Sequence, residues 1–181
     1  MGNDILNDGG GIATMKGGQG DDTYIVNNSA DVVTEAVGGG SDTIFASVNY
    51  ALNAGSEIEF LKANTTAGIT LKGNEFNTTI VGGVGNDTLI AGTGNDTLLG
   101  NGGQNTFKFL SGFGHDTIND FVVLSDKIDL TGLGITSANF ASHVSIVAAA
   151  GGGALLNVDG TAQSIKLFGI SPTAVDASYF A

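Results

Sequence analysis

The sequence predicts an all-β chain, a solenoid of short stacked units, and its own repeats are the reason. From Gly82 to Leu99 two nine-residue units stand head to tail, Gly-Gly-Val-Gly-Asn-Asp-Thr-Leu-Ile and then Ala-Gly-Thr-Gly-Asn-Asp-Thr-Leu-Leu. Each begins with a glycine-rich half, which reaches backbone angles closed to other residues. Each ends in an alternating run that reads as a strand of three residues, with Leu89 or Leu98 pointing inward. One unit is too short to bury anything alone, so units must stack.

The same phase runs outward in both directions. Gly2 to Leu6 is the second half of a unit. Asp8 to Lys16 is a degenerate unit in which Ala13 replaces the aspartate, and Gly17 to Ile25 is intact, with Asp22 and an inward Tyr24. Between residues 26 and 72 the repeat loosens. Val37 to Phe45 keeps Gly38, Gly39, Gly40, Asp42 and Ile44, and alternations at Ser47 to Leu52, Ile58 to Leu61 and Ile69 to Leu71 predict further short strands. We expect one continuous solenoid through this segment.

Gly73 to Val81 carries Thr78 at the aspartate place, and Gly100 to Lys108 carries Asn105 there. After a slip at Phe109 and Leu110, the unit Ser111 to Asn119 restores Asp116. The inward places read Leu6, Met15, Tyr24, Ile44, Ile80, Leu89, Leu98, Phe107 and Ile118, all large and apolar. One place earlier runs a threonine column that faces the other way on a strand. Beyond Phe121 the glycine loops give way to strand-like runs at His143 to Ala148, Ala154 to Val158 and Ser164 to Phe168, with a small-residue turn from Ala148 to Gly153. This predicts a β cap over the last coil, which otherwise exposes a strand edge. The expected division is a repeat region over 1–121 and a capping region over 122–181.

Asp87 and Asp96 end their glycine loops. Carboxylates beside loop carbonyls are the hard oxygen ligands that Ca²⁺ prefers, about six to eight per ion. The units match the G-G-x-G-x-D-x-U-x pattern. On these residues the chain resembles the RTX (repeats-in-toxin, hemolysin-type calcium-binding) proteins, a family of secreted bacterial proteins. The segment from Asp120 to Leu130 resembles the one that closes the roll in serralysin-type proteases. The resemblance implies a right-handed parallel β-roll with two units per turn and several Ca²⁺ ions, each between one loop and the loop a full turn later. Carried onto this sequence, it pairs Asp4 with Asp22, Asp87 with Asn105, and Asp96 with Asp116. The carbonyls of Gly18, Gly20, Gly83, Gly85, Gly92 and Gly94 complete these sites. Asn105 brings no charge, so its site is expected to be weaker, and Ala13 and Thr78 mark incomplete sites. Asp120, Asp126 and Asp129 read equally as turn residues or as ligands, with Asp120 the best placed.

The totals agree with a cation binder. A net charge of −12 with only six Lys and Arg argues against nucleic acid. There is no cysteine, which excludes disulfides, thiol nucleophiles and Cys-based zinc sites. No stretch is long and apolar enough to span a bilayer, and the N-terminus lacks the pattern of a Sec signal. The chain opens inside a unit, which predicts a piece of a longer protein. His115 and His143 lie outside any H-E-x-x-H arrangement, and no Gly-x-Ser-x-Gly elbow occurs. The expectation is therefore a non-catalytic module. By resemblance it is extracellular or on the cell surface, its partners are calcium ions and the type I secretion machinery, and Asp176 to Ala181 resembles a type I secretion tail. The alternative is a module that binds polysaccharide or a surface, as in epimerases and adhesins of this family; an aromatic or basic stripe on one face would favour it.

Overall fold

The threonine-to-apolar triplets become the strands. In the computed structural model, which describes residues 1–160 and 162–180, the repeat region contains β1 (Ile5–Asn7), β2 (Thr14–Met15), β3 (Thr23–Val26), β4 (Val32–Val33), β5 (Thr43–Ala46), β6 (Tyr50–Ala51) and β7 (Phe60–Ala63). It continues with β8 (Thr70–Lys72), β9 (Thr79–Val81), β10 (Thr88–Ile90), β11 (Thr97–Leu99), β12 (Thr106–Lys108), β13 (His115–Ile118) and β14 (Lys127–Asp129). A one-turn helix α1 (Phe140–His143) then leads into β15 (Val144–Ala148), β16 (Ala154–Val158) and β17 (Gln163–Leu167).

Successive strands alternate between two walls. The odd-numbered strands β1 to β13 form one parallel sheet, and β6, β8, β10, β12 and β14 form a second, with β2 and β4 paired separately. The chain is thus an all-β solenoid of about seven turns. The loosened segment from 26 to 72 is part of the same stack, because β3, β5, β7 and β9 pair in unbroken parallel order.

Register places like on like. Leu89 stands opposite Leu71 and Phe107, while Leu98 stands opposite Ile80 and Ile118. The middle residue of each triplet is buried and its neighbours are half-exposed. Every expected inward residue lies in the core except Leu6, which sits half-buried on the first coil and packs against it. The outward column is less uniform than the sequence suggests. Phe60 on β7 interrupts it between Thr43 and Thr79.

The last coils are closed by strands that return from far along the chain. The parallel register of the second wall runs through β14, past Phe121. On the first wall β17 pairs in parallel with β13, and β16 and β15 follow antiparallel. Apolar side chains seal the end: Phe121 lies 6.1 Å from Phe107 and 5.9 Å from Tyr179 between ring centroids. Ala181, the last residue of the secretion-like tail, lies outside the described residues.

Leu98 is fully buried between two neighbours of its own kind. Leu98→Ala is therefore expected to cost about 2–5 kcal/mol. Thr97→Ala on the outer face should cost less than about 1 kcal/mol. Urea unfolding of both variants in the same calcium-containing buffer checks the contrast.

Candidate metal centres

Glycine is required where loops stack. The carbonyl oxygen of Gly85 lies against Gly103 and that of Gly94 against Gly114, so a Cβ on the later residue would overlap it. Gly103 and Gly114 also have φ of +82° and +81°, which disfavours a side chain a second time. The loops therefore approach backbone to backbone and bring their last residues into register.

Those last residues form a ladder. Asp22 Oδ1 accepts a hydrogen bond from the Asp4 amide at 2.7 Å, Asn105 Oδ1 from the Asp87 amide at 3.0 Å, and Asp116 Oδ1 from the Asp96 amide at 2.7 Å. All three expected pairs are brought together. The same bond joins Asp42 to the Asp22 amide at 2.8 Å, Asp87 to Ile69 at 2.9 Å, Asp96 to Thr78 at 2.8 Å and Asp126 to Asn105 at 2.8 Å. At the degenerate unit, Asp31 reaches the Ala13 amide at 3.1 Å. Asp4, on the first coil, is exposed; Asp22, Asp42, Asp87, Asp96, Asn105, Asp116 and Asp126 are buried.

The second carboxylate oxygen distinguishes the loops. Asp87 Oδ2 accepts from Gly83 at 2.6 Å and Asp96 Oδ2 from Gly92 at 2.9 Å, each within its own loop. At Asp22 and Asp116 another side chain has taken those amides. Glu35 Oε1 accepts from Gly17 at 2.9 Å and Gly18 at 3.0 Å, and Gln163 Oε1 accepts from Gly112 at 3.0 Å and Phe113 at 3.2 Å. Asp22 Oδ2 and Asp116 Oδ2 are left buried with no hydrogen-bond partner. An oxygen in that position is costly unless something positive or protic meets it.

The electrostatics follow. Burial pushes the Asp116 carboxyl up to about 8, against the opposing hydrogen bond from the Asp96 amide. Burial also raises Asp42 to about 6, with the negative charges of Glu35, Glu59 and Asp22 adding to it. Asp96 and Asp126 are raised mainly by burial as well. For Glu35 burial works upward, but hydrogen bonds from Tyr24 and from the amides of Gly18, Gly17 and Ala36 outweigh it and hold the group low. Among the described residues the ion pairs are Lys108 with Asp129 and His143 with Asp159, and neither involves these ladder carboxylates. Carboxylates, carbonyls and unpaired buried oxygens without a basic neighbour fit a hard divalent cation.

The RTX calcium-binding nonapeptide repeat family matches residues 1–33 and 72–107, in four copies. The chain carries RTX calcium-binding repeats. The matched residues hold Asp22, Asp87, Asp96 and Asn105, but not Glu35, Asp42, Asp116 or Asp126. Over 99% of its length the chain aligns with the solution structure of the AlgE6R3 subunit from the Azotobacter vinelandii mannuronan C5-epimerase. That alignment has a TM-score of 0.44 and 18% identity, and it covers 78% of the other chain. A comparison with curated protein sequences gave no match.

The remaining expected residues divide. The carbonyls of Gly20, Gly85 and Gly94 face the next loop, whereas that of Gly83 accepts the Gly102 amide at 3.0 Å. Asp120 accepts from the amides of Gly100 at 2.9 Å and Asn101 at 2.7 Å. Asp129 is engaged by Lys108 at 2.6 Å. Glu35 was not legible as a site residue, because it falls outside the nine-residue phase. Its signal is turn length: Asp22 to Asp42 spans 20 residues, against 18 from Asp4 to Asp22. Asp120 likewise precedes Asp126 in a lengthened turn, 21 residues after Asn105.

The raised carboxyls set a pH dependence for the chelated chain. Asp116 contributes stability that is complete below the unfolded value of about 4 and is lost as pH rises through about 8. Asp42 loses its share by about 6, and Glu35, held low, loses its own only as pH falls. In chelator the chain should hold more β structure at about pH 5 than at about pH 8. Asp116→Asn should flatten that difference. An equal β signal for the parent chain at the two pH values, read by circular dichroism, would contradict the assignment.

Proposed function

We propose that this chain is a non-catalytic calcium-dependent folding module of a larger extracellular bacterial protein, with a roll over 1–121 and a cap over 122–181. The observation that carries the reading is the stacked ladder of buried carboxylates, two of them with an unpartnered oxygen and none with a basic partner among the described residues. Bound Ca²⁺ supplies the missing positive charge. Asp22 with Asp4, Asp87 with Asn105, and Asp96 with Asp116 hold it, together with the loop carbonyls of Gly18, Gly20, Gly83, Gly85, Gly92 and Gly94; Asp120 is a further ligand. Binding that exists only in the folded state stabilises it by mass action.

The same coupling gives a direction to export. Where free Ca²⁺ is low the chain stays open enough to thread a type I secretion channel, and where it is abundant the roll closes. The tail fits this order of events. In the folded chain Tyr179 and Phe180 are buried, and Phe180 stacks 4.0 Å from Phe140 between ring centroids. A receptor reads such a tail before the cap forms. The polysaccharide-binding alternative has two supporting features: Lys62 Nζ lies 4.6 Å from the Phe60 ring centroid and 5.7 Å from that of Phe45, and Lys166 Nζ lies 5.8 Å from that of the exposed Phe168. These are separate local clusters rather than a stripe, so the reading ranks second.

Far-UV circular dichroism during a Ca²⁺ titration from chelated protein tests the first reading. A cooperative gain of β signal with Ca²⁺, absent with Mg²⁺, is expected. Asp96→Ala should raise the midpoint roughly tenfold, about 1.4 kcal/mol. A chain already fully folded in chelator and indifferent to Ca²⁺ would overturn it.

A further inference from the structure

We propose that Asn101 is a site of spontaneous deamidation, reactive while the chain is open and protected once the roll is closed. Asn101 holds the second place of its unit, where the two preceding units carry Gly83 and Gly92. Its φ is +60°, and among the described residues only Leu124 and Asp159 share a positive φ without being glycine. Asparagine tolerates this left-handed region better than most residues. Asn101 is also the one asparagine in the chain that is followed by glycine. With no side chain on Gly102, the nitrogen that must attack meets the least obstruction and the main chain bends freely.

The chemistry needs only water. The main-chain nitrogen of Gly102 attacks Cγ of Asn101, the bond from Cγ to Nδ2 breaks, and ammonia leaves with the proton of the Gly102 amide. Water then opens the cyclic imide and the Gly102 nitrogen regains a proton. Addition at Cγ gives aspartate, and addition at the main-chain carbonyl gives isoaspartate. The closed roll holds these groups apart. The Gly102 amide donates to the Gly83 carbonyl at 3.0 Å, and Asn101 Nδ2 donates to the Gly82 carbonyl at 2.8 Å. Both bonds run to the loop one turn earlier, and attack requires both to be broken. The Asn101 amide is held as well, by Asp120 Oδ2 at 2.7 Å. Asn101 itself is exposed, so these bonds, and not exclusion of water, give the protection.

The product does not refit the loop. An aspartate at this position has no donor for the Gly82 carbonyl and brings a second negative charge beside Asp120. Isoaspartate also lengthens the main chain by one carbon, which moves the Gly102 amide off the Gly83 carbonyl. A modified chain therefore closes less readily, and the modified fraction records how long a chain has stayed open. That the chain opens without Ca²⁺ rests on the function proposed above; the reactivity of the pair and its protection in the closed loop rest on their own atoms.

Peptide mass spectrometry of the full chain, incubated at mildly alkaline pH in Ca²⁺, in chelator and in urea with chelator, tests this. Conversion at Asn101 should be slower in Ca²⁺ than in urea by at least about tenfold, the ratio expected if opening the loop costs about 1.4 kcal/mol. Conversion in chelator should approach that in urea. In urea, where folding plays no part, Gly102→Ala should reduce conversion at Asn101 to the level of the other asparagines. At the parent chain's urea midpoint in Ca²⁺, Asn101→Asp should raise the ratio of unfolded to folded chain about fivefold, the loss of one hydrogen bond. Equal conversion in Ca²⁺ and urea overturns the site, as does conversion in urea no faster than at the other asparagines. Protection in chelator as complete as in Ca²⁺, with conversion in urea, supports the site and overturns the calcium reading. An Asn101→Asp chain that unfolds as the parent does overturns the claim that modification opposes closure.

Discussion

The roll depends on one hydrogen bond repeated from coil to coil: a loop-ending carboxylate or amide oxygen accepts from the backbone amide of its counterpart one turn earlier. Asp116 to Asp96 and Asp96 to Thr78 run along one wall, and Asp126 to Asn105, Asn105 to Asp87 and Asp87 to Ile69 along the other. The bond fixes register, because a slip of one residue would present a side chain where an amide is needed. It also places acids one strand spacing apart, about 5 Å. At that distance two charges in a protein-like medium repel by about 3 kcal/mol. A hydrogen bond to a charged acceptor gives back about 1.5–3 kcal/mol. The two nearly cancel before desolvation is counted, so burial decides the sign. This is why the ladder carboxyls of Asp42, Asp96, Asp116 and Asp126 are shifted upward. Positive charge beside these carboxylates would favour their ionised form and reverse the balance.

Competition for the loop amides distinguishes the loops. Where the aspartate keeps them it closes on its own loop, as Asp87 does on Gly83, Asp96 on Gly92 and Asp126 on Val122. Elsewhere a residue from further along the chain reaches back and takes the loop's first amides. Glu35 does so at Gly17 and Gly18, and Asp120 at Gly100 and Asn101. At the cap the neutral Gln163 does the same at Gly112 and Phe113. Asp22 and Asp116 then lose an internal partner. Of the ladder carboxylates, the ones with an unsatisfied oxygen are therefore Asp22 and Asp116, whose loop amides another side chain has taken.

Much of this was legible in the sequence because a fixed repeat ties chemistry to position. The nine-residue phase identifies the inward ladder from Met15 to Phe107, and to Ile118 once the slip at Phe109 and Leu110 is allowed; the resemblance to a roll with two units per turn supplies the counterparts, and the structure brings Asp4 to Asp22, Asp87 to Asn105 and Asp96 to Asp116. The site residues that escaped are those whose partners come from outside the phase. Glu35 gains its place through two extra residues in a turn. Gln163 reaches the Gly112 loop because β17 returns beside β13, a pairing set by how the end of the stack is covered and not by any local pattern. Phe60, which interrupts the threonine column, lies in the loosened segment where the phase gives no guide.

Residue-resolved amide hydrogen exchange at Asp87 and Asp96, compared between chelator and Ca²⁺, tests the central claim most directly. Both amides are donors in the ladder, to Asn105 and to Asp116. If neutralising the carboxylates is what secures the coils, Ca²⁺ should slow exchange at both by at least about a hundredfold, about 2.7 kcal/mol. Equal protection with and without the ion would show that the ladder holds itself, and the account of the roll as a cation-closed structure would fail.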